Sequence, residues 1–262
     1  MSRFLIWYLL SSLTGSPVLS ALALIAFWWA TDRFTFRILP DPLRMVGRWR
    51  RAGALRRALL ANPHDRRARL ELAQLLVDTG RPRQAIDALR PSVEAGDDDV
   101  HTAFTLGSAL ARSGFHEQAE RALASARASD PLFRLGAIDL ELGQLRLASG
   151  NLAGAREALE RLVAERPGTV HGRWLLSRAV NGLGDPAGAR RLRDEAWREY
   201  VALPRFQRRM ERRWAWRARP SRPLTYAAVA VAIGLVVSSI AGPALVDRAA
   251  PARGAAMPDG ER

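Results

Sequence analysis

Four histidines, His64, His101, His116 and His171, are the side chains whose ordinary pKa lies nearest neutrality, and none is spaced to build a site. Two metal ligands on one helix face require a pattern such as His-x-x-x-His or Glu-x-x-His, and neither occurs. The chain has no cysteine, which removes thiolate nucleophiles, thiolate metal sites and disulfides together. No serine sits in a Gly-x-Ser-x-Gly context, and no glycine loop is arranged to cradle phosphate. Asp97-Asp98-Asp99 reads as a loop whose carboxylates satisfy free N–H groups at the next helix start, not as a cation site. The sequence therefore points away from an enzyme. It predicts no catalytic residue, no metal ligand and no cofactor.

Arginine carries the remaining chemistry. All 40 basic residues are arginine, and the net charge is +14. Their distribution matters more than their number. Residues 54–204 hold 22 arginines against 20 acids. Residues 31–53 hold six against two, and residues 205–222 hold eight against one. The middle of the chain is nearly neutral, and its borders are basic.

The elements that must position these residues recur with a fixed period. Turn glycines stand at Gly80, Gly114, Gly150 and Gly184, spaced by 34, 36 and 34 residues. Ala85, Ala119, Ala155 and Ala189 repeat the same intervals, and Pro63, Pro131 and Pro167 close units in the same register. Within one unit, Leu106, Gly107 and Leu110 fall on a first helix, and Ala119, Leu123 and Ala126 on a second. Small residues at Gly107, Ala119 and Ala126 allow the helices to approach, and the leucines fill the space between them. A two-residue insertion follows Pro131. Leu55, Ala58 and Leu59, before Asn62-Pro63, predict an N-terminal capping half-unit, because end repeats need a polar outer face.

This pattern resembles the tetratricopeptide repeat, a helix–turn–helix unit of about 34 residues. The resemblance implies an all-α solenoid of about four helical hairpins, with units near 66–99, 100–133, 136–169 and 170–203. It also implies that first helices line a concave face which binds an extended peptide or a helix of another protein. Carried over by position within the unit, the groove residues are Arg67, Leu70, Gln74 and Val77 in the first unit. The second unit supplies His101, Phe104, Ser108 and Ala111, and the third Ala137, Leu140, Gln144 and Leu147. The fourth supplies His171, Trp174, Arg178 and Asn181. Phe104 and Trp174 are then either apolar anchors for a partner or contacts between neighbouring units. Arg178 with Asn181 has the donors to grip a carboxylate or a peptide backbone. The Lys/Asn/Arg set with which some family members hold a terminal carboxylate is not present.

Two uncharged runs flank the repeats. Residues 4–31 comprise 28 uncharged residues, and 224–246 another 23. As helices these reach about 42 and 34 Å, enough for a hydrocarbon core of about 30 Å. Trp7-Tyr8 and Trp28-Trp29 match aromatic belts at two interfaces. A cleaved signal peptide fits the first run less well, since Trp28-Trp29 stand where small residues are wanted. Gly15-Ser16-Pro17 leaves open whether that span is straight or kinked. Ser12, Ser16 and Ser20 in the first run, and Ala230, Gly234, Ser238 and Gly242 in the second, form small-residue stripes that permit helix–helix association.

Residues 32–53 read as a basic juxtamembrane connector, interrupted at Pro40-Asp41-Pro42. Residues 205–223 read as an interfacial helix. Its candidate headgroup contacts are Arg205, Arg208, Arg209, Arg212, Arg213, Trp214, Trp216 and Arg217, with Phe206, Met210 and Trp214 on one face. A solvated extension of the last repeat is the competing reading. Arginines inside both spans outnumber those outside, which predicts a cytoplasmic repeat domain with both termini across the membrane. Residues 247–262 read as a disordered tail. The basic, aromatic-bearing borders invite nucleic acid, but topology and anionic lipid explain them without it.

The expected protein is thus a two-span inner-membrane scaffold of bacterial type that holds a protein partner on its repeats. Membrane-anchored repeat regulators of envelope lipid assembly look similar in architecture. The alternative is a lipid-sensing or membrane-shaping device working through residues 205–222.

Overall fold

The computed structural model describes residues 42–225, together with residues 18, 228, 229 and 232. Between residues 42 and 218 ten helices follow one another, and no strand occurs among the described residues. Helix α1 is Pro42–Ala61. Four hairpins follow: α2 (Arg66–Asp78) with α3 (Pro82–Glu94), α4 (Val100–Ser113) with α5 (His116–Ser129), α6 (Ala137–Ala148) with α7 (Leu152–Glu165), and α8 (Val170–Gly182) with α9 (Pro186–Ala202). After the fourth hairpin comes α10, Arg205–Ala218, and residues 221–225 are helical again.

Local chemistry explains the boundaries. Asp65, Asp99, Asn151, Thr169 and Asp185 each accept a hydrogen bond from a backbone N–H in the first turn of the helix they precede. Each such cap stabilises its helix by about 1 kcal/mol. Gly80, Gly114, Gly150 and Gly184 all have φ between 76° and 89°, a left-handed conformation that glycine adopts without strain. In three of the four turns the next residue donates to the carbonyl five positions back (Arg81 to Leu76, Phe115 to Leu110, Asp185 to Val180). That closes the helix end and aims the chain into the second helix.

Inside each hairpin the repeating alanines Ala85, Ala119, Ala155 and Ala189 are wholly buried, as are Leu89, Leu123 and Leu159. First helices also approach one another from unit to unit, more closely than second helices do. The face formed by α2, α4, α6 and α8 is therefore the inside of the curve. The insertion after Pro131 is absorbed by three successive left-handed residues, Arg134, Leu135 and Gly136. This loop buries Phe133 in the core.

The expected boundary at residue 53 falls within α1, which starts at Pro42 and packs on α2. At the other end, α10 docks on α8 and α9 as a first helix of a further unit would. Trp214 is turned inward against α8 and so does not share the expected single exposed apolar face with Phe206 and Met210. The reason is helical geometry. Eight residues at 100° each bring the side chain round by about 80°, so Phe206 and Met210 stay 64% and 67% exposed while Ala215 and Ala218 are buried. No helix among the described residues is long and apolar enough to cross a membrane. The spans expected at 4–31 and 224–246 lie almost entirely outside the described residues, and residues 247–262 lie wholly outside them.

Candidate protein-binding groove

The inner helices place the expected groove residues at three depths. Arg67, Arg178 and Asn181 are exposed. Leu70, Gln74, His101, Phe104, Gln144, Leu147, His171 and Trp174 are half-buried, as are Ala111, Ala137 and Leu140. Val77 and Ser108 are buried. Gln74, Val77, Phe104 and Ser108 come together in one cavity, joined there by Arg112, Arg134 and Glu141. Ser108 is 4% exposed, and its buried hydroxyl has no hydrogen-bond partner.

Two aromatic clusters mark the face. In the first, His101 meets Phe133 edge-on with centroids 4.8 Å apart, and Phe104 lies 5.2 Å from Phe133. The Arg134 guanidinium covers both phenylalanines, at 5.0 and 5.8 Å, and donates to His101 Nδ1 at 3.4 Å. In the second, His171 stacks flat on Trp214 at 3.6 Å, and Trp174 lies 5.1 Å from the same indole. Arg217 sits over Trp214 and Trp174, and Arg178 over Trp174. The clusters occupy equivalent places: His101 and Phe104 stand 70 residues before His171 and Trp174, two units earlier.

The second cluster depends on the stagger of α10. His171 faces Glu211, 40 residues on, and Trp174 faces Trp214 at the same offset, instead of the usual 34. The shift carries Trp214 and Arg217 over the fourth unit. Glu211 accepts from the His171 backbone N–H at 3.2 Å and lies 3.8 Å from Arg166. Burial raises the Glu211 pKa against the lowering pull of that N–H and Arg166. Burial also drives the His171 pKa down to about 4, helped by Arg217 and Arg166.

Sequence reasoning did not find Phe133 and Arg134, which lie in the insertion, and it assigned Trp214 and Arg217 to lipid. One signal was present: an aromatic three residues after a histidine, at 101/104 and again at 171/174. Among the described residues no group of three or more His, Asp or Glu is placed to hold a metal.

Two family models, both described as tetratricopeptide repeat, match residues 52–106 and 140–200. The chain is a tetratricopeptide-repeat protein. Solved structures with the same fold include a crystal structure of MamA, at 24% identity and TM-score 0.53, covering 58% of this chain and 87% of that one. A double mutant of MamA RS-1 is 14% identical with TM-score 0.56, over 61% of this chain and 89% of that one. PilW, titled a widely conserved type IV pilus biogenesis factor, is 16% identical with TM-score 0.53, over 64% of this chain and 83% of that one. At these identities the likeness is one of fold. No curated protein sequence matches the repeat protein.

The stacked imidazole gives a direct solution test. His171 binds its proton less readily in the folded chain than in the unfolded one, so stability is lost as pH falls from about 6.5 towards 4. Glu211, shifted upward, acts in the opposite sense in part of this range, so the comparison is between parent and variant. In the parent the His171 ring should titrate by NMR near 4. His171→Phe should lose about 2 kcal/mol less stability than the parent between pH 7 and pH 4, after allowance for partial exposure. A His171 midpoint near 6.5 would contradict the buried, stacked ring.

Proposed function

We propose that this chain is a non-catalytic scaffold that binds a protein partner along the inner face of its repeats. The observation that carries this reading is the cavity under Phe104. It joins a half-exposed aromatic ring to the buried, unpartnered Ser108 hydroxyl, an arrangement that supplies an apolar contact and a waiting hydrogen bond to a bound backbone. Leu70, Gln74, Gln144, Leu147, Trp174 and Asn181 extend the same surface along the array. The scaffold belongs at a membrane, held there by the uncharged runs 4–31 and 224–246 with their basic flanks. Anchoring both ends keeps the groove close to membrane partners and raises its effective concentration toward them.

A lipid contact for α10 has its own support. Phe206 and Met210 stay exposed beside Arg205, Arg209 and Arg213, which are exposed as well. Apolar side chains set among arginines suit an anionic headgroup layer. Arg208 and Arg212 are half-buried, as are Trp214 and Trp216, so the headgroup surface is narrower than the whole helix.

Photocrosslinkers placed at the exposed Arg67 and Asn181 positions in cells test the groove. A dominant protein adduct is expected from both, reduced about tenfold by Phe104→Ala with the melting temperature monitored in parallel. If no protein is captured while Arg209→Ala/Arg213→Ala abolishes function and vesicle binding, the lipid device is the correct reading.

A further inference from the structure

Three guanidiniums on the inner face lie over aromatic rings with no carboxylate against them: Arg134 on Phe133 and Phe104, Arg178 on Trp174, and Arg217 on Trp214 and Trp174. None takes part in the ion pairs found among the described residues. Several acids of the array are engaged elsewhere. Asp139 holds Arg161, Glu120 holds Arg146, Glu195 and Glu199 face Arg173, and Asp194 holds Arg219. Glu141, which lines the cavity with Phe104 and Arg134, faces Arg112 at 3.9 Å, and Glu211, beside His171, faces Arg166 at 3.8 Å.

A guanidinium resting on a ring keeps its N–H edges available for two parallel bonds to a carboxylate. The ring also restricts the side chain before any ligand arrives, which lowers the entropy lost on binding. Both clusters present this arrangement, two units apart on one face. A single small anion would satisfy only one of them. An extended chain with spaced acids satisfies both.

We propose that the inner face takes an acidic, extended segment of the protein partner, whose Asp or Glu side chains engage Arg134 at one cluster and Arg178 with Arg217 at the other. This rests on the partner-binding reading above and adds the partner's chemistry. Nucleic acid fits less well. The ring faces that bases would stack on are occupied, by His171 on Trp214 and by the guanidiniums themselves.

The test uses the purified full-length chain and a fluorescein-labelled peptide of alternating glutamate and alanine with its C-terminus amidated. A glutamine counterpart and an oligothymidylate serve as comparison probes. The acidic peptide is expected to bind at least about tenfold more tightly than the glutamine peptide, and to weaken with added salt. Arg134→Ala and the pair Arg178→Ala/Arg217→Ala should each weaken it about fivefold or more. Arg178→Lys should restore affinity only in part, because an ammonium neither stacks nor bonds bidentately. Equal binding of the glutamine peptide, or no binding of the acidic one, overturns the proposal. So does oligothymidylate binding that these substitutions remove while the acidic peptide stays unbound. A crosslinked partner segment at Asn181 that is basic or uncharged would overturn the acidic assignment and leave the groove standing. Absence of both adduct and peptide binding would remove the groove as well.

Discussion

Gly107→Val is expected to lower the melting temperature of the array by about 6–12 °C, corresponding to about 3 kcal/mol in a domain of this size. A Cβ at Gly107 would stand 2.6 Å from Leu123 Cγ and 3.3 Å from the Leu123 backbone nitrogen. Leu123 is wholly buried, so its branch point has no free volume to enter, and the backbone behind it belongs to α5. The helices would have to separate, and each would lose buried contacts. Valine adds a second cost through its restricted rotamers in a helix. The lesion also has a functional consequence, because Phe104 lies one turn before Gly107 on α4 and would be displaced with it. Leu123→Ala in the Gly107→Val background should recover part of the loss, as a double-mutant cycle would register. A Gly107→Val protein that melts with the parent would show that α4 and α5 are not in close contact.

That contact was legible in the sequence because steric demand leaves its mark on composition. Gly107 and Ala119 stand where the two helices touch and a larger side chain does not fit, and the turn glycines recur because the backbone there has positive φ. The character of the inner face was less legible. Phe104 is expected in the groove from its place in the unit, but its neighbour Phe133 is supplied by a loop whose path depends on three consecutive left-handed residues. Trp174 is expected there too, yet the ring that packs against it comes from α10 at an offset of 40 residues, which a 34-residue period does not anticipate. Trp214 belongs to an arginine-rich helix that reads locally as a membrane-surface element. Only docking reveals that its two faces differ. Periodicity captures contacts inside a unit, whereas contacts made by insertions and caps require the fold.

Asp139→Ala is expected to destabilise the protein by about 3 kcal/mol, measured by denaturant unfolding. Asp139 stands at the fourth position of its unit and is wholly buried in α6. It reads in sequence as one more helix acid. In the structure its Oδ1 accepts from Arg161 at 3.0 Å and lies 3.4 Å from Arg127, so one carboxylate ties α6 to helices on either side. Removing it leaves Arg127 without its carboxylate and Arg161 with only Glu157, the two guanidiniums being 34% and 24% exposed, which holds the loss to the lower end of the range for a broken buried pair. The equivalent position makes the same link in two other units. Arg69 donates to the buried Ser92 hydroxyl in the first, and Arg173 faces Glu195 and Glu199 in the fourth. Ser92, Arg161 and Glu195 stand 22 or 23 residues along, with Glu199 one turn further, and in the third unit the charges are reversed relative to the fourth. Three of the four units therefore carry a polar tie at this place, in either polarity, while the second has Ala103 there. Asp139→Arg combined with Arg161→Glu should consequently be more stable than Asp139→Arg alone by at least about 1 kcal/mol. Arg127 prevents full recovery, since its half-exposed guanidinium would then face a like charge and have to turn to solvent. If the exchange gave no rescue, the tie would depend on the Arg127 contact and not on the pairing of the two helices within the unit.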